Sequence, residues 1–206
     1  MSKIKKEVLI VDCCIRGKES RTGQLMNAFK NALPESSNIT VLNLMDEDLK
    51  YLSGEYFEER QKLLDERKLD HPRFKYAHQF ADADIVAIAA PFWDLMFPAL
   101  LKVYIEQISV DGITFGAKDN ALAGLCRGSD LVFITTRGGS YAPGSGLEGM
   151  DIGSAYMSAL KDFFGFDHYH MIAADGLDIY GADADALVAK AIEEARALAQ
   201  AIVQTH

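Results

Sequence analysis

The sequence is poor in the features that would set it apart from an ordinary folded chain. It has three cysteines in 206 residues, and two of them, Cys13 and Cys14, are adjacent. Neither a disulfide framework nor a zinc-ligand spacing can be built from such a set. No apolar run is long enough to span a bilayer and no targeting segment is visible, so the expectation is a cytoplasmic protein with no membrane partner. Basic charge is scarce: 21 Lys and Arg stand against 30 Asp and Glu, a net charge of −9. A nucleic-acid surface needs clustered Lys and Arg, and the densest basic spot is Lys3, Lys5 and Lys6. Nucleic acid is therefore excluded as a partner. An acidic chain can still hold a small anion, through backbone N–H groups and an arginine in a local pocket. What remains, 49% apolar and 25% charged residues, is globular composition. The length suits a single domain over residues 1–206.

Short apolar runs recur along the chain: Val8–Val11, Ile39–Leu44, Ile85–Ala90, Leu131–Thr135 and Tyr169–Ala173. The third and fourth alternate little with polar residues, which is how strands buried on both faces of a parallel sheet read. Helical patterns lie between them, at Gly23–Leu33, Pro98–Ile108, Gly153–Phe164 and a last stripe from Leu187 to Ile202 that Asp183 can cap. The charged stretch Glu55–Phe80 reads as helix, broken at His71-Pro72. Alternating strands and helices predict an α/β fold with a five-stranded, doubly wound parallel sheet. Ligands of such folds bind outside the carboxyl ends of the strands, which directs attention to the loops after the first, third and fourth strands.

The first loop runs from Asp12 to Gly23 and carries Ser20 and Thr22 where a helix begins, with Arg16 and Arg21 nearby. Helix-start N–H groups carry partial positive charge, and hydroxyls with an arginine would complete a phosphate cradle; a plain helix cap by Ser20 is the alternative. The second loop, Ala90–Pro98, sets large apolar residues around Asp94 and holds Trp93, the only tryptophan. A flat heteroaromatic ligand needs such apolar faces and N–H groups aimed at its edge. The third loop, from Thr135 to Gly146, has Gly138-Gly139, which lets backbone approach a ligand closely. His168 and His170 share one face of a strand, but no third metal ligand has a suitable spacing.

The first loop also invites comparison with low-molecular-weight tyrosine phosphatases, whose signature is Cys, five residues, then Arg and Ser or Thr. Here six residues separate Cys14 from Arg21-Thr22. A cradle around one phosphate tolerates little slack, so the spacing argues against that chemistry.

Over nearly its whole length the chain resembles the FMN-dependent NAD(P)H azoreductases, also called FMN-dependent NADH:quinone oxidoreductases. The most specific stretch is Pro91–Phe115, in which Leu101-Lys102, Tyr104 and Gly112-Ile113-Thr114-Phe115 match the family pattern; Thr136-Arg137-Gly138-Gly139 is similar to its Ser-Arg-Gly-Gly. The resemblance implies a flavodoxin-like three-layer sandwich that binds FMN. It implies that Cys13, Ser20, Arg21 and Thr22 take the phosphate. Phe92, Trp93, Asp94 and Leu95 would lie against the isoalloxazine, Thr136, Arg137, Gly138 and Gly139 would border its pyrimidine side, and Pro91 and Tyr141 are further cofactor-binding candidates. It further implies a homodimer, with the apolar face around Phe97–Ile108 packing on the partner. Cys13, Asp94 and Tyr141 stand where the family often has Ser, Asn and His, and Ala117 stands near a family Tyr; these departures bear on substrate range.

The implied activity is ping-pong hydride transfer from NADH or NADPH through FMN to a quinone or azo compound. It requires no metal and no side-chain nucleophile, and Tyr141 is the candidate substrate contact. A flavodoxin-like electron carrier, which binds FMN but does not oxidise NAD(P)H directly, is the alternative.

Overall fold

The computed structural model describes residues 5–204, so Lys3 lies outside the described residues. The expected strands form one parallel sheet: β1 (Glu7–Asp12), β2 (Asn38–Asn43), β3 (Ile85–Ala89), β6 (Asp130–Thr136) and β7 (His168–Ala174), in the order β2-β1-β3-β6-β7. Register is set by the pairing of Ile10 with Val41 on one side and with Ala87 on the other. The three central strands, β1, β3 and β6, are buried almost end to end, as their Val, Ile and Leu content requires.

Side-chain alternation assigns each strand's residues to two layers. Val8, Ile10, Ala87, Val132 and Ile134 face α1 (Arg21–Ala32) and α6 (Ala184–Gln204), where they meet Leu25, Phe29, Val188 and Ala195. Leu9, Val11, Val86, Ile88, Leu131 and Phe133 face α3 (Lys75–Asp82), α4 (Ala99–Ile108) and α5 (Ile152–Phe164), where they meet Phe80, Leu101, Tyr104, Met157 and Phe164. Each such side chain, fully buried, contributes about 1.5–3 kcal/mol of transfer free energy. The apolar face of α4 is consumed in this way: Leu101, Tyr104, Ile105 and Ile108 are all buried within the chain. They are not free to pack on a partner, which corrects the sequence expectation for that helix.

The charged stretch divides as Pro72 requires. α2 (Gly54–Asp65) ends before it, His71 caps a 3-10 turn at Pro72–Phe74, and α3 follows. An antiparallel hairpin, β4 (Phe115–Lys118) and β5 (Ala121–Gly124), was not anticipated. Its strands are short and rich in Ala and Gly, so β propensity gives no signal. The turn residues Asp119 and Asn120, both at positive φ, are the one local mark of it. Among the described residues no helix is long and apolar enough to cross a membrane.

Candidate functional site

Strand order places the carboxyl ends of β1, β3, β6 and β7 side by side, and the loops that leave them enclose a cavity of about 620 Å³. That volume suits a small-molecule ligand. Its wall contains Arg16, Ser20, Arg21 and Thr22 from the first loop, Pro91, Phe92 and Trp93 from the second, and Thr136, Arg137 and Gly138 from the third. Leu177 and Asp178, from the loop after β7, make a fourth wall that the sequence reading did not include. The rule that pointed to the other strand ends applied equally to this one.

The first wall is a helix start. Ser20 Oγ accepts from Gly23 N at 3.1 Å and so caps α1. The N–H groups of Arg21 and Thr22 belong to the first helical turn, where no intrahelical carbonyl can reach them. Thr22 Oγ1 lies 2.7 Å from Thr136 Oγ1, a hydroxyl contact that ties the first loop to the third. Arg16 forms no ion pair among the described residues.

Both cysteines of this loop are buried. Burial first, then the charge of Asp12, pushes the Cys13 thiol up to about 12, and burial also drives Cys14 far upward. A catalytic cysteine needs a lowered thiol pKa, so phosphatase chemistry has no nucleophile here. Cys13 sits in the core against β1 and β3 rather than on the cavity wall.

The second wall is a tight turn. Trp93 and Met96 exchange N–H···O bonds of 3.1 and 2.9 Å, and Asp94 and Leu95 between them have φ of 50° and 67°. This is the type I′ geometry that usually selects Asn and Gly, and two residues with side chains cost on the order of 1–2 kcal/mol each. The surroundings over-determine it: Leu95 O accepts from Gly153 N at 3.1 Å, and Gly153 has no Cβ to strike Met96. Asp94 and Leu95 lie at the exposed turn, outside the cavity wall.

The third and fourth walls are one unit. The carbonyls of Arg137, Gly138 and Gly139 accept from the N–H groups of Leu177, Asp178 and Gly176 at 3.1, 3.0 and 3.0 Å. The N–H groups of Gly138 and Gly139 take no part in this ladder. Arg137, 3% exposed, is gripped by Asp175 through both Nε and Nη2 and by Asp151 through Nη1. Asp151 also caps α5, accepting from Ser154 N at 3.0 Å. No local pattern marks this buried cluster, because Asp151 and Asp175 lie 14 and 38 residues beyond Arg137. Tyr141 does not line the cavity. Its ring packs on Phe92, centroids 4.5 Å apart, and its N–H reaches Asp175.

His170 Nε2 lies 2.7 Å from Asp130 Oδ1, so that imidazole is engaged inside the sheet. Among the described residues no group of three or more potential metal ligands is assembled.

A protein-family model described as a flavodoxin-like fold matches residues 6–199. The chain is 39% identical over 181 residues to FMN-dependent NADH:quinone oxidoreductase 2 of Clostridium acetobutylicum, covering 86% of this chain and 89% of that one. Among solved structures, azoreductase AzrA is 26% identical with a TM-score of 0.79, covering 94% of this chain and 99% of that one. An azoreductase from Bacillus anthracis, 24% identical, superposes with a TM-score of 0.81 over 96% of this chain and 99% of that one, which speaks to the fold.

Proposed function

Because the chain belongs to the flavodoxin-like family of FMN-dependent NADH:quinone oxidoreductases, we propose that it is an FMN-dependent oxidoreductase that uses NADH or NADPH to reduce quinones or azo compounds. The observation that carries the reading is the cavity itself: four strand-end loops converge on it, and two of them, at the α1 start and at Gly138, bring backbone N–H groups that the fold leaves unused. These residues fit FMN. The α1 start with Ser20, Arg21 and Thr22, and Arg16 beside them, would hold the phosphate. Phe92 and Trp93 offer apolar faces to a flat ring. Free backbone N–H groups at Gly138–Gly139 would meet its polar edge.

Bound FMN would supply the redox chemistry, accepting a hydride from the nicotinamide and passing it to the acceptor in ping-pong order. The chain's part is to hold and shield. The Gly138-Gly139 loop presents fixed N–H dipoles, and fixed dipoles stabilise a developing negative charge without reorganising. The Arg137 cluster keeps the Gly138-Gly139 loop rigid while presenting no net positive charge to the ligand. Tyr141, packed behind Phe92, is the side chain we assign to the acceptor's side of the site. A Tyr141→Phe variant should retain flavin and alter acceptor kinetics.

The rim also supports a homodimer. Trp93 on the cavity wall and Leu95 in the same turn are exposed apolar side chains, and Leu147, Met150 and Ile152 are exposed as well, a surface suited to cover by a second copy. The same reading treats residues 1–206 as a single domain that works in the cytoplasm, where reduced nicotinamide is available.

The test is an absorbance spectrum of the purified protein with FMN, followed by anaerobic NADH and NADPH. A bound flavin band that bleaches promptly supports the oxidoreductase. Bound flavin that neither nucleotide bleaches would leave an electron carrier instead, and absence of flavin binding would refute the reading.

A further inference from the structure

The cavity has three arginines in its wall, yet it is not electropositive. Arg137 is neutralised by the two carboxylates that grip it. The remaining wall charges, Arg16 and Arg21 against Glu19 and Asp178, cancel. A phosphate monoester brings nearly two negative charges at neutral pH, so a site for it would be expected to carry a surplus of positive charge.

Asp178 is the residue that removes the surplus. Its carboxylate lies 3.5 Å from Arg21 Nη1. Arg21 opens α1 and Asp178 sits in the loop after β7, so the pair joins two walls of the same cavity. The backbone of Asp178 is held in place beside the cavity. Its N–H is held by Gly138 O at 3.0 Å, and its carboxylate lies against Gly138, where any Cβ would collide with it.

We propose that Asp178 is a selectivity residue for the phosphate end of the cofactor: its carboxylate is the counter-ion of Arg21 while no phosphate is bound, and a phosphorylated ligand must take Arg21 from it. The proposal rests on the reading of this cavity as a flavin site. An exposed ion pair is weak, so the exchange itself is easy. What persists after it is repulsion between the carboxylate and the phosphate. Asp178 therefore loosens the hold on FMN and leaves a flavin without phosphate untouched.

FMN and riboflavin share one ring system and differ by the phosphate, which makes them a matched pair of probes. Each is titrated into the wild-type chain and into Asp178→Asn, with quenching of flavin fluorescence as the readout. The expected result is FMN binding tightened about tenfold in the variant and riboflavin binding unchanged within about twofold. Added salt should narrow the difference for FMN. FMN affinity that stays the same, falls, or changes in step with riboflavin would overturn the role of Asp178. A wild-type chain that binds neither flavin would instead overturn the flavin site. Asp178 is largely exposed, and the riboflavin titration reports directly that the variant is folded.

Discussion

Replacing Arg137 by Met tests the core of the site. Arg137 is 3% exposed and its partners Asp151 and Asp175 have side chains 10% and 20% exposed. Met roughly fills the same volume, so the loss is charge and hydrogen bonding rather than packing. Two carboxylates are then left facing each other in a half-buried space, one at the start of α5 and one at the end of β7. Removing one partner of a buried ion pair costs about 3–5 kcal/mol, a large part of the roughly 5–15 kcal/mol that holds a domain folded. For a chain of this length each kcal/mol lowers the melting temperature by about 2–4 °C, so the fall should be roughly 6–20 °C. Urea and thermal unfolding followed by circular dichroism measure it. FMN binding should weaken in parallel, because the Gly138-Gly139 loop loses its anchor. The triple variant Arg137→Met, Asp151→Asn, Asp175→Asn removes the stranded charges and should recover at least half of the lost stability. A single variant less than about 1 kcal/mol below wild type, or a triple variant no better than the single, would refute the argument.

Further outcomes follow from the geometry. A thiol reagent such as dithionitrobenzoate at pH 8 should label Cys13, Cys14 and Cys126 slowly in the folded chain and promptly in denaturant, since burial raises all three thiols, Cys13 and Cys126 to about 12. Rapid native labelling of Cys14 would reopen the question of its chemistry. Gly124→Ala should cost about 3 kcal/mol, because a Cβ there would overlap the Phe164–Gly165 backbone; an unchanged melting temperature would mean the hairpin can move away. Burial alone would raise the Asp130 carboxyl, but its bonds with His170 and Ser129 outweigh this and hold it below the ordinary value. A depressed carboxylate adds stability that is complete above the unfolded pKa, near 4, and is lost as pH falls through the lower folded value. Asp130→Asn should therefore be less stable at pH 7, yet lose less on acidification from about pH 4 to pH 2; parallel pH profiles would contradict this.

The sequence by itself determined the five strands of the parallel sheet, most of the helices and the general place of the cavity, though not the β4–β5 hairpin. Runs such as Ile85–Ala90 are apolar without alternation, and stripes such as Leu187–Ile202 have helical spacing; both are local patterns that any packing must honour. Ser20, Thr22, Phe92, Trp93 and Gly138 were legible for the same reason, since each lies just beyond a strand whose end could be read. Only the tertiary structure decided the rest. Strand order set β7 at the sheet edge and so brought Asp178 into a cavity otherwise built from earlier loops. Packing spent the apolar face of α4 on the core and left Trp93 exposed at the cavity wall. It also buried Arg137, which still borders the cavity, between two carboxylates. An arginine's role depends on which carboxylates share its low-dielectric surroundings, and Asp151 and Asp175 become its neighbours only when the chain has folded.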